Sequence, residues 1–400
     1  VFGANKLKGQ IKISGSKNAS LPILAATLLS NKKITLKNLP KVRDIETMLT
    51  LLKSLGSKVK FDKKKTIIDN SKQNKKFASY NLVKTMRAGI LVLGPLLAKY
   101  ESAKVSLPGG CAIGTRPVDI HLKALSKLGV KYRIDQGYVI ANAPKGLIGN
   151  KIRFPKVSVG ATENLIIAAS FAKGTTILSN CAIEPEIRDL VNFLNEMGCN
   201  IKWISSRAIK IIGVTELKEI SYSIMFDRIE AGTYLIAAAV TEGNLKIINI
   251  IPEIIKTEIQ VLKKLGSKII TRKNELEIIG TKKIKSMKIK TAPYPGFPTD
   301  LQAQIMVLLC KANKTSIIKE EIFENRFMHV AELNRMGAKI LTQGNKAIVE
   351  GNINFASAEL MATDLRASVS LILAALTAKG KSVINRIYHL DRGYENIEKK

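Results

Sequence analysis

The sequence has few aromatic residues, few prolines and no long hydrophobic run. Of its 400 residues, 5% are aromatic and 12 are proline, whereas 46% are hydrophobic. The longest apolar runs are LPILAATLL (21–29) and SLILAALTA (370–378), which are far too short to cross a bilayer. We therefore expect a globular protein that does not insert into a membrane. A chain of this length exceeds what one hydrophobic core normally serves, so two domains are expected.

Cysteine is also scarce, and its spacing argues against a structural zinc site. The four cysteines are Cys111, Cys181, Cys199 and Cys310, and no two of them form a CxxC pair. This usage is typical of a reducing compartment, so we expect a cytoplasmic protein. The three histidines are too far apart in sequence to indicate a set of metal ligands; they are His121, His329 and His389.

Acidic residues are half as frequent as basic ones. The chain has 32 Asp and Glu against 64 Lys and Arg, for a formal net charge of +32. Such an excess is compatible with a surface for nucleic acid or for an anionic membrane. However, the lysines are spread along the chain, and the run KKK (63–65) is not interleaved with aromatic residues. We favour drift towards A/T-rich codons, expect no nucleic-acid partner, and expect anionic small molecules to be attracted.

One segment combines features that tune a thiol. In LPGGCAIGTRPVDIH (107–121), glycines precede and follow Cys111, and Arg116 lies five residues after it. Pro117 then introduces a predicted helix at Val118. A cysteine on a flexible loop beside a guanidinium and a helix N-terminus loses its proton easily. The alternative is a buried apolar cysteine, but such a position gains nothing from flanking glycines.

The chain contains an internal repeat of about 70 residues. Five amphipathic helix ends share the pattern Leu or Met, then Gly, then the start of a strand, as in LLKSLGSKV (51–59) and VLKKLGSKI (261–269). Each glycine is predicted to be a left-handed helix cap. The five glycines are Gly56, Gly129, Gly198, Gly266 and Gly337. A small-residue helix followed by a β-rich segment precedes each of these motifs, and a sixth such pair occupies residues 370–386.

Six units indicate two α/β domains of three units each, dividing near residues 220–230. A solenoid is the competing architecture, but its repeats are usually only about 20–50 residues long. The glycine of the sixth unit is expected near position 407, so the last repeat is predicted to be incomplete. The longest of the variable loops lies in the second unit and carries Cys111. Function is expected at such an insertion.

The remaining polar motifs fall at predicted helix starts or loops. A lysine at a helix N-terminus opposes the helix dipole unless an anion binds there, although a solvated surface lysine is the alternative. Arginine or lysine at such positions in both halves predicts a receptor for a phosphate and a carboxylate. The residues concerned are Lys17 and Asn18 in SGSKNA, Arg87 in KTMRAG, Asp300 in FPTDLQAQ, Glu324 and Arg326 in EIFENRF, Asp364 and Arg366 in TDLRAS, and Arg392 in YHLDRGYE.

Taken together, these motifs resemble the enolpyruvyl transferases, and among them those that act on UDP-N-acetylglucosamine. The resemblance covers essentially the whole chain in order and is most specific in the cysteine loop. It includes SGSKNA, LPGGCAIGTRPVD, KVSVGAT (156–162), EPEI (184–187), DRIEAGT (227–233), FPTD, FENRFMH (323–329), ATDLRAS and DRGYE.

The resemblance implies a fold as well as a reaction. The expected fold is a two-domain inside-out α/β barrel of six βαβαββ-type repeats, with helices inside and sheets outside. The first domain would span residues 18–226 and carry the Cys111 loop. The second would combine residues 1–17 with residues 227–400 and end in the incomplete repeat.

The implied reaction transfers the enolpyruvyl group of phosphoenolpyruvate to the sugar 3′-hydroxyl, with release of phosphate, at the start of peptidoglycan synthesis. Cys111 would donate a proton to the methylene carbon, and Asp300 would be the candidate base. Phosphoenolpyruvate would be held by Lys17, Asn18, Arg116 and Arg392, and the charged network would be completed by Arg326, Asp364 and Arg366. The nucleotide sugar would contact Arg87, Arg116, Pro117, Val118, Asp119, Ile120, Lys156, Val157, Ser158, Val159 and Ile322.

No metal or organic cofactor is implied, and we expect a monomer. Three alternatives remain open. Sister enzymes that act on shikimate 3-phosphate share the architecture but do not need the cysteine loop. A basic nucleic-acid-binding repeat protein is supported by charge alone. A catalytically inactive remnant would follow if the incomplete sixth repeat left an exposed sheet edge.

Overall fold

The structure, a computed structural model, describes residues 1–62, 64–109 and 118–400. The described residues contain twelve α-helices and 22 strands, numbered here in chain order. The helices are α1 Lys17–Ala26, α2 Arg43–Ser54, α3 Tyr80–Val83, α4 Leu93–Tyr100, α5 Asp119–Ser126, α6 Val159–Ala169, α7 Pro185–Glu196, α8 Arg228–Val240, α9 Lys256–Leu265, α10 Gln302–Cys310, α11 Val330–Arg335 and α12 Leu365–Thr377.

The strands are short, and most have two to five residues. They are β1 Lys8–Lys12, β2 Lys33–Lys37, β3 Lys58–Asp62, β4 Lys65–Asp69, β5 Phe77–Ala78, β6 Ser102–Ser106, β7 Lys131–Asp135, β8 Tyr138–Asn142, β9 Lys151–Arg153, β10 Thr175–Ser179, β11 Asn200–Ser205, β12 Ala208–Ile212, β13 Ile220–Ser223, β14 Asn244–Ile248, β15 Lys268–Thr271, β16 Glu275–Ile279, β17 Lys288–Lys290, β18 Ser316–Lys319, β19 Ile340–Gln343, β20 Lys346–Val349, β21 Glu359–Met361 and β22 Val383–Asn385.

The described chain forms two compact units, each with its own hydrophobic core. One unit comprises residues 15–109 and 118–225, and the other comprises residues 1–14 and 226–400. No helix of the described residues is long and apolar enough to span a membrane.

Six sheets repeat one strand plan. In the unit built around residues 15–225, the strand orders are β13-β2-β4-β3, β5-β6-β8-β7 and β9-β10-β12-β11. In the other unit they are β1-β14-β16-β15, β17-β18-β20-β19 and β21-β22. In every four-stranded sheet the first pair is parallel, and the next two pairs are antiparallel. The two-stranded sheet of the sixth repeat keeps only the parallel pair.

In the unit of residues 226–400, two apolar helices are buried along their whole length. All 13 residues of α8 are buried, as are all nine of α10. These helices lack a continuous polar face, so burial on every side is their stable placement. The strands instead alternate buried and exposed positions, as in β2 and β14, because one face of each sheet faces solvent. Helices inside and sheets outside confirm the expected inside-out α/β fold.

The predicted glycine caps are confirmed. All five have positive φ values, between 92° and 115°. Residues that carry a Cβ atom rarely adopt this region, whereas glycine does so readily. Gly266 shows the constraint most directly, because a Cβ atom there would lie 2.9 Å from the carbonyl oxygen of Lys283. The repeated motif is therefore a structural device that turns a helix into a strand.

Two sheets are completed by strands from distant parts of the chain. Strand β1 pairs in parallel with β14, with Lys8 opposite Asn244. Strand β13 pairs in parallel with β2, with Ile220 opposite Ile34. The N-terminal strand thus belongs to the unit that contains residues 226–400.

Candidate active site

Asp300 is the centre of a charged cluster in the unit of residues 226–400. It lies in a 3-10 turn, Thr299–Leu301, directly before α10, as its predicted position at a helix start requires. Arg326 donates a hydrogen bond from Nη2 to its Oδ1 atom at 2.9 Å, and Arg366 donates from Nη2 to its Oδ2 atom at 2.8 Å. The structure therefore brings together three residues predicted from separate motifs.

Burial of the two arginines strengthens their electrostatic attraction to Asp300. The side chains of Arg326 and Arg366 are only 5% and 6% exposed, whereas that of Asp300 is 26% exposed. Burial alone would lower the pKa of Arg366, but the Asp300 carboxylate, Tyr394 and Asp227 together raise it above its usual value. The guanidinium therefore stays charged, and Asp300 presents the accessible edge of an otherwise shielded ion cluster.

The structure describes the other predicted residues of this unit as well, and one of them, Asp364, supports the cluster directly. Asp364 caps α12 by accepting hydrogen bonds from the backbone N–H groups of Arg366 and Ala367, at 2.8 and 3.1 Å. It therefore fixes the start of the helix that carries Arg366. Arg392 is half-buried and ends the 3-10 helix Ile387–Arg392. Ile322 is half-buried and Glu324 is exposed.

In the unit of residues 15–225, Lys17 begins α1, as predicted. Its Nζ atom lies 3.2 Å from Oδ2 of Asp44, in the first turn of α2, and the side chains are 12% and 7% exposed. Ser16 caps α1 by accepting a hydrogen bond from the N–H group of Ala19 at 3.2 Å. Asn18 is half-buried beside Lys17. The start of α1 thus holds an ammonium group whose charge Asp44 balances, which does not match the alternative of a solvated surface lysine.

The segments predicted for the nucleotide sugar also lie at helix starts. Ser158 caps α6 by accepting from the N–H group of Ala161 at 3.4 Å, while Lys156 and Val159 are exposed and Val157 is half-buried. N–H groups at such a start favour an anionic ligand.

The start of α5 follows the same pattern. Val118 is the N-cap residue of α5, and Asp119 opens the helix. Asp119 lies 3.7 Å from Lys123 in an exposed pair, whereas Ile120 is buried. The negative charge of Asp119 interacts favourably with the helix dipole at the N-terminus of α5, which stabilises the helix.

A buried histidine connects α5 to α6. Asn164 donates a hydrogen bond from Nδ2 to Nδ1 of His121 at 3.2 Å, while its Oδ1 atom accepts from the N–H group of Gly94 at 2.8 Å. Burial, followed by the charge of Arg87, lowers the pKa of His121 to about 4, although Asp119 opposes the shift. The imidazole is therefore neutral near pH 7. Arg87 itself is half-buried at the start of the 3-10 helix Arg87–Val92, as predicted.

Cys111, Arg116 and Pro117 lie outside the described residues, so the loop prediction stays a prediction. The remaining cysteines, Cys181, Cys199 and Cys310, are free and buried. Burial raises their pKa values to about 12, 11 and 12, so these thiols are protonated at neutral pH.

Comparison with known proteins identifies the family to which this chain belongs. The family model described as EPSP synthase (3-phosphoshikimate 1-carboxyvinyltransferase) matches residues 1–400. The chain belongs to the EPSP synthase family. This membership confirms the recognition of an enolpyruvyl transferase from the sequence, and with it the expected enzyme class.

Two relatives illustrate the likeness within this family. A protein of Pelagibacter ubique is 79% identical over 400 residues, which cover 100% of this chain and 96% of that protein. A protein of Geotalea uraniireducens is 51% identical over 400 residues, with the same coverage of 100% and 96%. Both are named UDP-N-acetylglucosamine 1-carboxyvinyltransferase.

Solved structures of an enolpyruvyl transferase and of an EPSP synthase share the fold of this chain. The enolpyruvyl transferase NikO of Streptomyces tendae superposes with a TM-score of 0.91 at 22% identity, covering 100% of this chain and 95% of that one. EPSP synthase of Acinetobacter baumannii superposes with a TM-score of 0.74 at 17% identity, covering 98% and 94%. At these identities the likeness concerns the fold alone.

Several residues of the candidate site could not be recognised from the sequence. Asp44 and Asn164 stand in no motif that was singled out, and only their contacts across 27 and 43 residues reveal them. Tyr394 lies within DRGYE, so its motif was recognised but its contact with Arg366 was not.

The described residues contain no group of three or more His, Cys, Asp or Glu side chains that could hold a metal ion. What they do contain is charge suited to anions. The unit of residues 226–400 offers buried arginines around a partly exposed carboxylate, which suit binding of an anion and transfer of a proton. The unit of residues 15–225 separately offers a lysine at a helix start.

Proposed function

We propose that this chain transfers the enolpyruvyl group of phosphoenolpyruvate to the 3′-hydroxyl of UDP-N-acetylglucosamine and releases phosphate. This reaction is the first committed step of peptidoglycan synthesis, and the enzyme would act in the cytoplasm. The observation that carries the proposal is the partly exposed Asp300 carboxylate held between two buried guanidinium groups. The names of relatives at 79% and 51% identity support the choice of acceptor.

Asp300 is the residue that meets the sugar hydroxyl. Its Oδ1 atom accepts a hydrogen bond from Arg326, its Oδ2 atom accepts one from Arg366, and the side chain is 26% exposed, so a ligand can reach the carboxylate. Because two cations fix its orientation, the carboxylate is held where it can accept the hydroxyl proton as the oxygen attacks.

Lys17, Asn18, Arg116 and Arg392 hold phosphoenolpyruvate through its phosphate and carboxylate. Lys17 lies at the start of α1, where backbone N–H groups add to the attraction for an anion. Planar guanidinium groups bind such oxygens in a fixed geometry and stabilise the phosphate as it leaves.

Cys111 supplies the proton that makes the enol ether carbon electrophilic. In the addition step, the thiol proton bonds to the methylene carbon, and the sugar oxygen bonds to the adjacent carbon while Asp300 takes its proton. In the elimination step, that methyl group returns a proton to the Cys111 thiolate, and the double bond re-forms as the bond from the adjacent carbon to the phosphate oxygen breaks. The electron pair of that bond leaves with inorganic phosphate, which takes up the proton held by Asp300. Oxocarbenium character after carbon protonation explains why a positioned acid is needed.

The test is phosphate release from phosphoenolpyruvate. With UDP-N-acetylglucosamine present, we expect stoichiometric phosphate and an enolpyruvyl product of the expected mass. With no acceptor, or with shikimate 3-phosphate in its place, we expect no turnover. Turnover with shikimate 3-phosphate alone would overturn the proposed acceptor and favour the sister reaction, and no turnover with either acceptor would overturn the function.

A further inference from the structure

The hydroxyl group of Tyr394 joins three core helices at one point. It lies 3.3 Å from Nη1 of Arg366 in α12, 2.9 Å from Oγ1 of Thr233 in α8, and 3.4 Å from Nε2 of Gln304 in α10. Tyr394 is 4% exposed, and its partners are equally shielded. No sequence motif indicated this meeting point.

The donors and acceptors fix the direction of each hydrogen bond. Arg366 can only donate, so the Tyr394 oxygen accepts from it. The Nε2 group of Gln304 also can only donate, and it lies within hydrogen-bond distance of both the Tyr394 oxygen and, at 3.3 Å, Oγ1 of Thr233. Thr233 donates its own hydroxyl proton to the carbonyl oxygen of Ile229 at 2.8 Å. The Tyr394 hydroxyl therefore donates to Thr233. A directed chain runs from the Arg366 guanidinium through two hydroxyl groups to the backbone of α8.

This chain holds the part of Arg366 that does not touch Asp300. Nη1 is held by Tyr394, and Nη2 is left to bind Oδ2 of Asp300 at 2.8 Å. The Arg366 guanidinium also lies 5.6 Å from the centre of the Tyr394 ring. Gln304 in turn donates to the backbone oxygen of Asp300 at 2.9 Å. Both the side chain and the backbone of Asp300 are thus reached through direct partners of one phenol oxygen.

We propose that Tyr394 is a positioning residue for the Asp300 carboxylate, acting through Arg366. The inference rests on the proposed function, because Asp300 is there the group that takes the sugar hydroxyl proton. Without the phenol oxygen, the Arg366 guanidinium can rotate away from the geometry that aims Asp300. Since a displacement of about 1 Å can cost about a hundredfold in rate, the effect appears in kcat.

Tyr394→Phe removes the oxygen and keeps the ring. We expect kcat to fall about tenfold or more, while KM for UDP-N-acetylglucosamine changes less than about threefold. The matched control is Tyr234→Phe in α8. Tyr234 is also buried, but its hydroxyl has no hydrogen-bond partner among the described residues. This control should keep the wild-type kcat, and circular dichroism with thermal unfolding establishes that both variants fold.

A double variant separates positioning from general loss of structure. In an Asp300→Asn background, adding Tyr394→Phe should leave kcat unchanged, because the residue that Tyr394 orients no longer acts as a base. If the two effects instead multiply, Tyr394 does not act through Asp300 and the inference is wrong. Equal kcat for Tyr394→Phe and wild type would also overturn it.

Thr233→Val serves if Tyr394→Phe does not fold. It removes the acceptor of the phenol proton and should lower kcat by a smaller factor than Tyr394→Phe, whereas an unchanged kcat contradicts the inference.

The wild-type assay distinguishes failure of the positioning role from failure of the proposed function. If the wild-type protein turns over and Tyr394→Phe has the same kcat, only the positioning role is refuted. A wild-type protein without turnover refutes the function and the positioning role together.

Discussion

The Nζ atom of Lys17 lies 3.2 Å from Oδ2 of Asp44, and both side chains are largely shielded from water. The carboxylate comes from the first turn of α2, whereas the ammonium group begins α1. Asp44 therefore helps to hold the positive charge of Lys17 at the start of α1. The pair joins the two helices of the first repeat.

Asp44→Asn tests this arrangement. It keeps the shape of the side chain but leaves the Lys17 ammonium without its carboxylate in a shielded site. We expect the free energy of unfolding to fall by roughly 3 kcal/mol, because breaking a buried pair exposes the cost of the remaining charge. KM for phosphoenolpyruvate should rise about tenfold, since Lys17 is no longer held in place. Urea unfolding and initial-rate kinetics measure the two effects.

Glu46→Gln is the matched control for Asp44→Asn. Glu46 lies in the same first turn of α2, but its side chain is exposed. Removal of its charge should leave KM unchanged and alter stability by less than about 0.5 kcal/mol. If both variants raise KM alike, the change reflects net charge and not the Lys17 contact.

Asp300→Asn removes the carboxylate charge and keeps the side-chain shape. We expect kcat to fall by about two orders of magnitude, because general-base catalysis contributes on that scale. Binding of UDP-N-acetylglucosamine, measured by calorimetry, should weaken far less than the rate falls. Asp300→Ala should lose rate to a similar extent, but it should also lose stability, because Arg326 and Arg366 would face each other without an intervening anion. An unchanged rate in both variants excludes Asp300 as the base.

Reagent selectivity tests the role of Cys111. An epoxide phosphonate that mimics phosphoenolpyruvate should alkylate Cys111 and leave Cys181, Cys199 and Cys310 intact. The reason is that those three thiols are buried and have raised pKa values. Mass spectrometry of proteolytic peptides locates the adduct, and modification of another cysteine would contradict the assignment.

Cys111→Ala and Cys111→Asp test the same role by kinetics. Cys111→Ala should abolish turnover while thermal unfolding stays close to that of the wild type. Cys111→Asp should retain activity, since a carboxylic acid also donates a proton. Full activity of Cys111→Ala would remove the cysteine from the mechanism.

His121 predicts a specific dependence of stability on pH. Its pKa is about 4 in the folded protein and about 6.5 in the unfolded chain. Between these values the unfolded chain binds the extra proton, so the free energy of unfolding falls as the pH drops through this window. Relative to His121→Gln, the wild type should lose about 2 kcal/mol between pH 7 and pH 5.

Urea unfolding at both pH values measures that difference, and an NMR titration of the imidazole gives the pKa directly. Asp189 works in the opposite direction, because burial raises its pKa to about 6 and its protonated form becomes more favourable on acidification. The comparison with His121→Gln removes this contribution, which both proteins share. An imidazole that titrates near 6.5 in the folded protein would contradict the prediction.

Much of the fold was predictable because it repeats. A single glycine at the end of an amphipathic helix is weak evidence, but five at similar spacing indicated one supersecondary unit, and positive φ values at Gly56 and Gly266 confirm the reason. Strand pairing was not predictable in the same way. The parallel pairing of Ile220 with Ile34 depends on chain segments that are brought together only by folding.

The candidate site was predictable as separate residues but not as an arrangement. Asp300, Arg326 and Arg366 each lie in a recognised motif, yet nothing local indicates that both arginines share one carboxylate. Tyr394 and Asp44 were missed because their significance lies in a partner 28 or 27 residues away. Contacts at such separations depend on helix packing, which a local pattern does not encode.

The parallel pairing of β1 with β14 affects how the protein is made. Residues 8–12 are translated long before their neighbour at residues 244–248, because the whole first set of three repeats lies between them. During that interval the N-terminal strand has no partner in its own sheet, while residues 15–225 can already form a compact unit. Strand β1 can therefore enter its sheet only once β14 has been translated, whereas the sheets of residues 15–225 do not depend on that later segment.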